Sequence, residues 1–115
     1  MEQPLQISLR NMDPSPAIEA RIREKVEKLE HVCDRIVGCV VTVEAPHRHH
    51  HKGKLYSVHI DVSLPGKDVH VGHTGPINHA HEDVYVAIRD AFDAATRQVE
   101  DHVRRMRGDV KTHTP

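Results

Sequence analysis

The sequence predicts an α+β fold of order β-α-β-β-β-α, in which a four-stranded sheet carries two helices on one face. Three observations lead to this prediction. Residues 81–107 contain no glycine or proline, and their apolar residues recur at the spacing of one helical face. Residues 54–64 alternate between apolar and polar side chains, as a strand with one buried face does. The turn dipeptide Pro65-Gly66 follows that strand and predicts a hairpin.

The first strand and the first helix are predicted within residues 4–31. Apolar and polar side chains alternate over residues 4–9, with one face formed by Leu5, Ile7 and Leu9. The helix that follows has two candidate caps, Asp13 and Ser15, and a proline suited to its first turn, Pro14 or Pro16. It extends to about His31, and its inward face is formed by Ile18, Ile22, Val26 and Leu29.

Three further strands complete the predicted sheet. Residues 36–45 form the second strand, with an inward face of Val37, Cys39, Val41 and Val43. Residues 54–64 form the third, with an inward face of Tyr56, Val58, Ile60, Val62 and Leu64. The fourth returns through the hairpin with Val69 and Val71 inward. Because consecutive antiparallel strands with one polar face are covered on one side only, we expect an open face that carries Gln6, Ser8, Thr42, Ser57, His59, Asp61 and His70.

The long helix is predicted over His81 to Arg107. Its apolar stripe consists of Val84, Ile88, Ala91, Phe92, Ala95, Val99, Val103 and Met106. His81 or Asp83 can cap it, and Glu82 and Asp83 in its first turn would complement the helix dipole. Residues 1–107 thus form a single domain, and residues 108–115 are predicted to be a flexible tail.

Composition sets bounds on the function. The 115 residues suffice for one domain, and 16 Lys+Arg against 17 Asp+Glu give a formal net charge of −1. A nucleic-acid-binding surface would therefore require segregated charge. Two cysteines are too few for a disulfide framework. No apolar run reaches the roughly 18 residues of a membrane span, and no charged-then-apolar leader opens the chain, so we expect a soluble cytoplasmic protein.

Charge is segregated on the first helix. Arg21, Lys25 and Lys28 fall within an arc of about 60° beside the apolar stripe when each residue advances 100°. Phosphate binding is one interpretation of this basic stripe. The alternative is an ordinary solvated face stabilised by the i,i+4 ion pairs Arg23–Glu27 and Glu24–Lys28.

Histidines crowd the predicted loop from Pro46 to Lys54. Neutral imidazoles can bind a transition metal, and Arg48, Lys52 and Lys54 can contact phosphates, more strongly once the histidines gain charge at lower pH. A polar, solvated hairpin loop would need neither function. We expect no metal site, because no cysteine or acidic residue lies at ligand spacing beside these histidines.

Catalytic patterns are lacking, and the aromatic residues restrict the kind of RNA binding that is possible. The sequence has no nucleophile elbow, phosphate-cradling glycine loop or paired catalytic carboxylates, so we expect neither an enzyme, nor a cofactor, nor a small-molecule substrate. Reading single strands by stacking requires exposed aromatics on the sheet. With two tyrosines, one phenylalanine and no tryptophan, the remaining mode is recognition of folded RNA by shape, as in double-stranded-RNA-binding domains.

Three stretches together resemble one protein family. They are SPAIEARIREKVEKLE (15–30), LPGKDVHV (64–71) and HEDVYVAIRDAFDAATRQVE (81–100). In order and spacing they resemble the short ribosome hibernation-promoting factors, the protein Y or ribosome-associated inhibitor A family, formerly known as sigma-54 modulation proteins. The HEDxYxAI opening of the last stretch is the most specific, and the resemblance extends to about Arg107.

The resemblance implies a monomer that binds 16S rRNA of the 30S subunit at the decoding region, occupies the mRNA and tRNA path and silences idle ribosomes in stationary phase. Lys25 and Lys28 match the family's basic positions in the first helix, and Arg97 lies in its R-Q match in the second. The candidate RNA contacts are Arg21, Lys25, Lys28, Lys67, Arg89, Arg97, Arg104 and Arg105.

A second function stays open because the chain departs from the family pattern. Position 94 is Ala94 where relatives usually carry lysine, and Glu100 and Asp101 follow Val99 where relatives are basic. These changes and the histidine-rich loop would also fit a protein-interaction or metal-responsive module that kept the fold with weakened rRNA affinity.

Overall fold

A computed structural model describes residues 1–46, 55–73 and 83–112, and it describes the backbone alone for His73 and residues 108–112. The secondary-structure elements follow the predicted order: β1 (Gln6–Arg10), α1 (Pro16–Val32), β2 (Gly38–Glu44), β3 (Ser57–Leu64), β4 (Lys67–His73) and α2 (Val84–Thr112). The predicted α+β fold, with both helices on one face of a four-stranded sheet, is confirmed. In the described part of the chain, no helix is both long and apolar enough to span a membrane.

The strands lie in the sheet in the order β1-β2-β3-β4. The β2–β3 and β3–β4 pairs are antiparallel, as predicted. The β1–β2 pair is parallel, a direction that the sequence prediction did not specify. Because α1 lies between β1 and β2 in the chain, this pair and its helix form a β-α-β unit, and the sheet is mixed.

Burial divides the sheet into a covered face and an open face. Cα register aligns one row across the covered face, Ile7, Val41, Ile60 and Val71. The next row, on the open face, aligns Ser8, Thr42, His59 and Gly72. Side chains on the covered face are buried or packed against the core, whereas side chains on the open face are exposed or half-exposed. The predicted open face is therefore confirmed.

The first helix begins and packs as the sequence predicts. Of the two candidate caps, Ser15 caps α1, since its side-chain oxygen accepts a hydrogen bond from the Ile18 amide at 3.3 Å, and Pro16 occupies the first turn. All four predicted inward residues are buried: Ile18, Ile22, Val26 and Leu29. Their burial closes α1 onto the covered face of the sheet.

The second helix differs from its predicted bounds at both ends. Asp83 is the cap rather than a first-turn residue, because its side chain accepts a hydrogen bond from the Tyr85 amide at 2.8 Å. The first turn of α2 contains no acidic residue, so the predicted first-turn role of Asp83 is wrong; His81 and Glu82 lie outside the described residues. The backbone of α2 continues past Arg107 to Thr112. The flexibility of the tail stays a prediction.

One residue of the predicted apolar stripe is exposed. Met106 is 52% exposed, whereas the remainder of the stripe is buried or packed against the core, together with Ala87, which the prediction omitted. Twenty-nine residues of helix span about 43 Å, and the eight residues of β3, the longest strand, span about 26 Å. The last turns of α2 therefore extend beyond the sheet.

The β3–β4 hairpin and the cysteines match the sequence prediction. Leu64 pairs with Lys67 across the two-residue turn Pro65-Gly66, and Gly66 has a φ of 77°, which glycine adopts without strain. Both cysteines are free and buried. Burial, with smaller contributions from the charges of Asp61 and Glu30, raises the pKa of Cys39 to about 12, so this thiol stays protonated in the core.

Candidate nucleic-acid interface

The two helices lie side by side and run in the same direction. Near their starts, the guanidinium carbon of Arg21 in α1 lies 4.9 Å from the centroid of the Tyr85 ring in α2. Near their ends, Val32 and Cys33 line one groove with Val103 and Met106. The flank of α2 that carries Tyr85 therefore faces α1, and the flank of α1 that carries Arg21 faces α2.

The basic stripe of α1 lies on this flank. Arg21 and Lys28 are exposed and Lys25 is half-buried. Among the described residues, the carboxylate of Glu24 pairs with Arg21, at 3.4 Å from its Nε, and not with Lys28 as the solvated-face interpretation proposed. Lys25 and Lys28 form no ion pair with any side chain that the structure describes. Their ammonium groups are thus available to an external anion.

The arginines of α2 form two groups. Arg89 donates to the Asp90 carboxylate from Nε at 3.2 Å and from Nη2 at 3.1 Å, and Arg104 pairs with Asp101. Arg97 and Arg105 are exposed and have no carboxylate partner in the described part of the chain. All four side chains are solvent-accessible, and exposed ion pairs contribute only about 0–1 kcal/mol. The ion pairs of Arg89 and Arg104 therefore contribute little to the stability of the fold.

Helical geometry shows which of these arginines lie near α1. At 100° per residue, Arg89 is about 40° from Tyr85 around α2, whereas Arg97 and Arg104 are about 120° and 100° away and point outward. Arg105 is about 160° away, on the opposite flank. By this projection Arg89 lies on the side of α2 nearest α1, and Arg105 lies apart from it.

Lys67 lies at the other end of the sheet from the Arg21–Tyr85 contact. It is the first residue of β4 and lies on the covered side of the sheet, by alternation with the buried Val69 and Val71. Its side chain is exposed beside the β3–β4 turn, and this turn borders the groove at the end of α2. We define the interhelical cations as Arg21, Lys25, Lys28 and Arg89. They are the members of the predicted set that the Arg21–Tyr85 contact and helical projection place nearest the α1–α2 boundary.

Sequence reasoning did not identify Tyr85 as part of this site. Its ring is half-buried, and its face is covered by the Arg21 guanidinium. The periodic pattern of α2 places position 85 at the edge of the apolar stripe, which predicts a packing role only. The sequence does place an aromatic residue, Tyr85, at the start of one predicted helix and an arginine, Arg21, near the start of the other. Pairing these two residues requires knowing that the two helices run in the same direction.

The open face of the sheet carries a second charged feature. The Nδ1 of His70 lies 2.5 Å from a carboxylate oxygen of Asp61, its Cα partner on the neighbouring strand. One row away, the His59 ring lies against Gly72, where a Cβ atom would be only 2.8 Å from the Nδ1 of His59. The hydrogen bond to Asp61 raises the pKa of His70, and the charges of Asp61 and Asp68 add to the effect, partly opposed by desolvation.

We expect the Asp61→Asn substitution to lower the pKa of His70 towards its ordinary value, because the strongest stabilising contact of the imidazolium is lost. In the wild type, the pair stabilises the folded protein below the unfolded pKa of about 6.5 and ceases to do so as the pH rises through the raised pKa. NMR titration of the His70 imidazole measures the shift. The matched control is Asp68→Asn, which removes a smaller contribution; equal shifts in both variants would contradict the assignment to Asp61.

Metal binding has no support from the described residues. Within 1–46, 55–73 and 83–112, no group of three histidine, cysteine, aspartate or glutamate side chains could hold a metal ion. The histidine-rich loop, His47 to His51 with its neighbours, lies outside the described residues, as do His79 and His81. The phosphate-binding and metal-binding interpretations of the histidine-rich loop therefore stay predictions from the sequence.

Comparisons with known proteins identify a protein family and two solved structures that this chain resembles. A family model described as Sigma 54 modulation protein / S30EA ribosomal protein matches residues 5–107. The chain is similar to the crystal structure of the Thermus thermophilus protein Y N-terminal domain, with 26% identity, a TM-score of 0.67 and coverage of 89% of this chain and 99% of that chain. It shares its fold with a ribosomal subunit interface protein from Coxiella burnetii, with 16% identity, a TM-score of 0.68 and coverage of 87% and 97%. A search of curated proteins gave no match.

Proposed function

The chain belongs to the Sigma 54 modulation protein / S30EA ribosomal protein family, and from this premise we propose that it is a ribosome hibernation factor that binds 16S rRNA of the small subunit. It inhibits translation by occupying the mRNA and tRNA path at the decoding region. In this proposal the protein acts as a cytoplasmic monomer, needs no cofactor and performs no catalysis. The family resemblance that the sequence indicated is thus confirmed. Binding of 16S rRNA, the decoding region as its site and the monomeric state are proposed.

The observation that carries the proposal is the gathering of the interhelical cations in a chain whose formal net charge is −1. A near-neutral protein attracts nucleic acid only where its positive charge is segregated. Arg21, Lys25, Lys28 and Arg89 provide such a region along the boundary between the two helices. Neutralising phosphates there releases counterions from the RNA, and this release supplies sequence-independent affinity.

The structure also supports a particular mode of RNA recognition. The described open face of the sheet presents histidine, aspartate, serine and threonine and no tyrosine, phenylalanine or tryptophan, so bases have no large aromatic surface there on which to stack. Cations on parallel helices instead suit the phosphates of folded RNA, where backbone spacing and not base identity is read. The interface therefore favours a structured region of rRNA over a single strand.

Cosedimentation with purified ribosomal subunits tests the proposal. We expect the protein to migrate with 30S subunits in sucrose gradients and to dissociate as salt increases. With about four phosphate contacts, and the slope of roughly −0.9 per contact measured for duplex DNA as a guide, a rise from 50 to 200 mM salt would reduce affinity by about a hundredfold.

The 50S subunit provides the control for that experiment. Equal migration with both subunits would indicate nonspecific attraction to rRNA. Absence from the 30S fraction at low salt would reject the proposed function and favour the alternative, a protein-interaction or metal-responsive module on the same fold. Repeating the gradient with added zinc distinguishes a metal-responsive module, whose migration should change with the metal, from a protein-interaction module, whose migration should not.

A further inference from the structure

Tyr85 packs against the edge of the core and also contacts a cation of the other helix. Its ring is half-buried at the α1–α2 boundary, and the guanidinium carbon of Arg21 lies 4.9 Å from the ring centroid. That distance is within the range of a cation–π contact. The tyrosine therefore contacts, across the helix boundary, one of the cations that the proposed function requires.

We infer that Tyr85 is a positioning residue that holds the Arg21 guanidinium over its ring at the start of α2, so that Arg21 binds an rRNA phosphate in a fixed orientation. The inference rests on the proposed function and names the group that organises its phosphate site. Lys25 and Arg89 lie one helical turn further along their respective helices than Arg21 and Tyr85. The Arg21–Tyr85 contact therefore lies at the end of the interhelical cations nearest the helix starts.

The geometry leaves the binding edge of Arg21 available. A guanidinium is planar, and stacking on an aromatic ring covers its face while its N–H donors point outward in the plane. The Nε of Arg21 lies 3.4 Å from the carboxylate of Glu24, and the side chain is 45% exposed. The two terminal nitrogens make no hydrogen bond to the described residues, and together they match two oxygens of a phosphate.

Tyr85 itself is held by the cap of α2. Its backbone amide donates to the Asp83 side chain at 2.8 Å, and the Ala87 amide donates to the Asp83 carbonyl oxygen at 3.1 Å. These contacts define the first turn of the helix and hence the position of the Tyr85 backbone. Asp83 thus contacts Tyr85 and Tyr85 contacts Arg21, so that the cap of α2 is connected to a proposed phosphate-binding side chain on α1.

Substitution of Tyr85 tests the inference. We expect Tyr85→Leu, which keeps an apolar side chain but removes the ring, to weaken 30S binding about two- to fivefold and to reduce the slope of log affinity against log salt by up to about one. Tyr85→Phe, which keeps the ring, should bind as the wild type does. In an Arg21→Ala background, Tyr85→Leu should have no further effect, because the cation that it positions is gone.

A matched control is Tyr56→Leu, which alters another half-buried tyrosine packed against the core that is not part of the described cation–π contact. We expect it to leave the salt slope unchanged even where it lowers thermal stability. If the wild type binds and Tyr85→Leu keeps the same affinity and slope, or if Tyr85→Leu and Arg21→Ala act additively, the positioning role is overturned while the proposed function stands. If the wild type itself does not bind 30S subunits, both are overturned.

Discussion

The double substitution Lys25→Glu/Lys28→Glu is expected to remove most of the affinity for the 30S subunit. Both lysines lie on the flank of α1 that faces α2, and neither forms an ion pair with a described side chain. If each charge-assisted hydrogen bond to phosphate contributes about 1.5 kcal/mol, the loss is roughly tenfold per contact, or about a hundredfold for the pair. Glutamate repulsion adds to this loss. The salt slope should become less steep by about two.

A control variant with the same change in net charge separates local contact from overall charge. Arg23→Glu/Arg35→Glu alters two exposed arginines outside the interhelical cations. Fluorescence anisotropy with labelled protein and 30S subunits at several salt concentrations measures both variants. We expect the control to lose much less affinity and to keep its salt slope. Equal losses would show that net charge and not the α1 flank governs binding, and an unchanged lysine variant would place the site elsewhere.

The strands and the first helix could be predicted from the sequence because burial imposes a period on the residues. Alternation over β3 and the 3.6-residue spacing over α1 each report which side chains leave water, and the structure buries those residues. The direction of β1 leaves no such mark. A strand has the same inward and outward residues whether its neighbour runs parallel or antiparallel, so only the path of α1 back across the sheet decides it.

The ends of α2 were predicted less well because several residues offered equivalent local signals. His81 and Asp83 are both polar residues that can precede the helix, and only the hydrogen bond from the Tyr85 amide identifies Asp83 as the cap. At the other end, Gly108 is a usual stop signal, yet the backbone continues to Thr112. Met106 follows the apolar period, but it is exposed because the helix extends beyond the sheet that would cover it.

The candidate site was predictable within one helix and not between helices. Projection of α1 alone groups Arg21, Lys25 and Lys28, because their angles depend only on helical geometry. Which flank of α2 lies beside that group depends on how the two helices pack, and the Arg21–Tyr85 contact supplies that information. The same packing places Arg89 near the stripe and directs Arg105 away from it, a distinction that residue type could not make.

The Ile60→Ala substitution is expected to cause a large loss of stability. Ile60 lies on β3 with 0% exposure, between its Cα partners Val41 on β2 and Val71 on β4. Truncation removes buried methyl and methylene groups and leaves a cavity that close-packed neighbours fill only in part. Such substitutions cost about 2–5 kcal/mol, a large fraction of the roughly 5–15 kcal/mol by which domains are stable. Urea denaturation should show a lower midpoint with an unchanged m-value.

His59→Ala provides the matched control, because His59 precedes Ile60 on the same strand and points to the open face, where it is exposed. Surface substitutions of this kind change stability by about 0.5 kcal/mol or less. The two adjacent residues should therefore differ several-fold in effect, since only one of them faces the helices. Similar losses at both positions would mean that the open face is also covered in solution, which would contradict the one-sided sheet.

Because β3 pairs with both β2 and β4, loss of packing at Ile60 would also weaken the support of both helices and thereby the alignment of the interhelical cations.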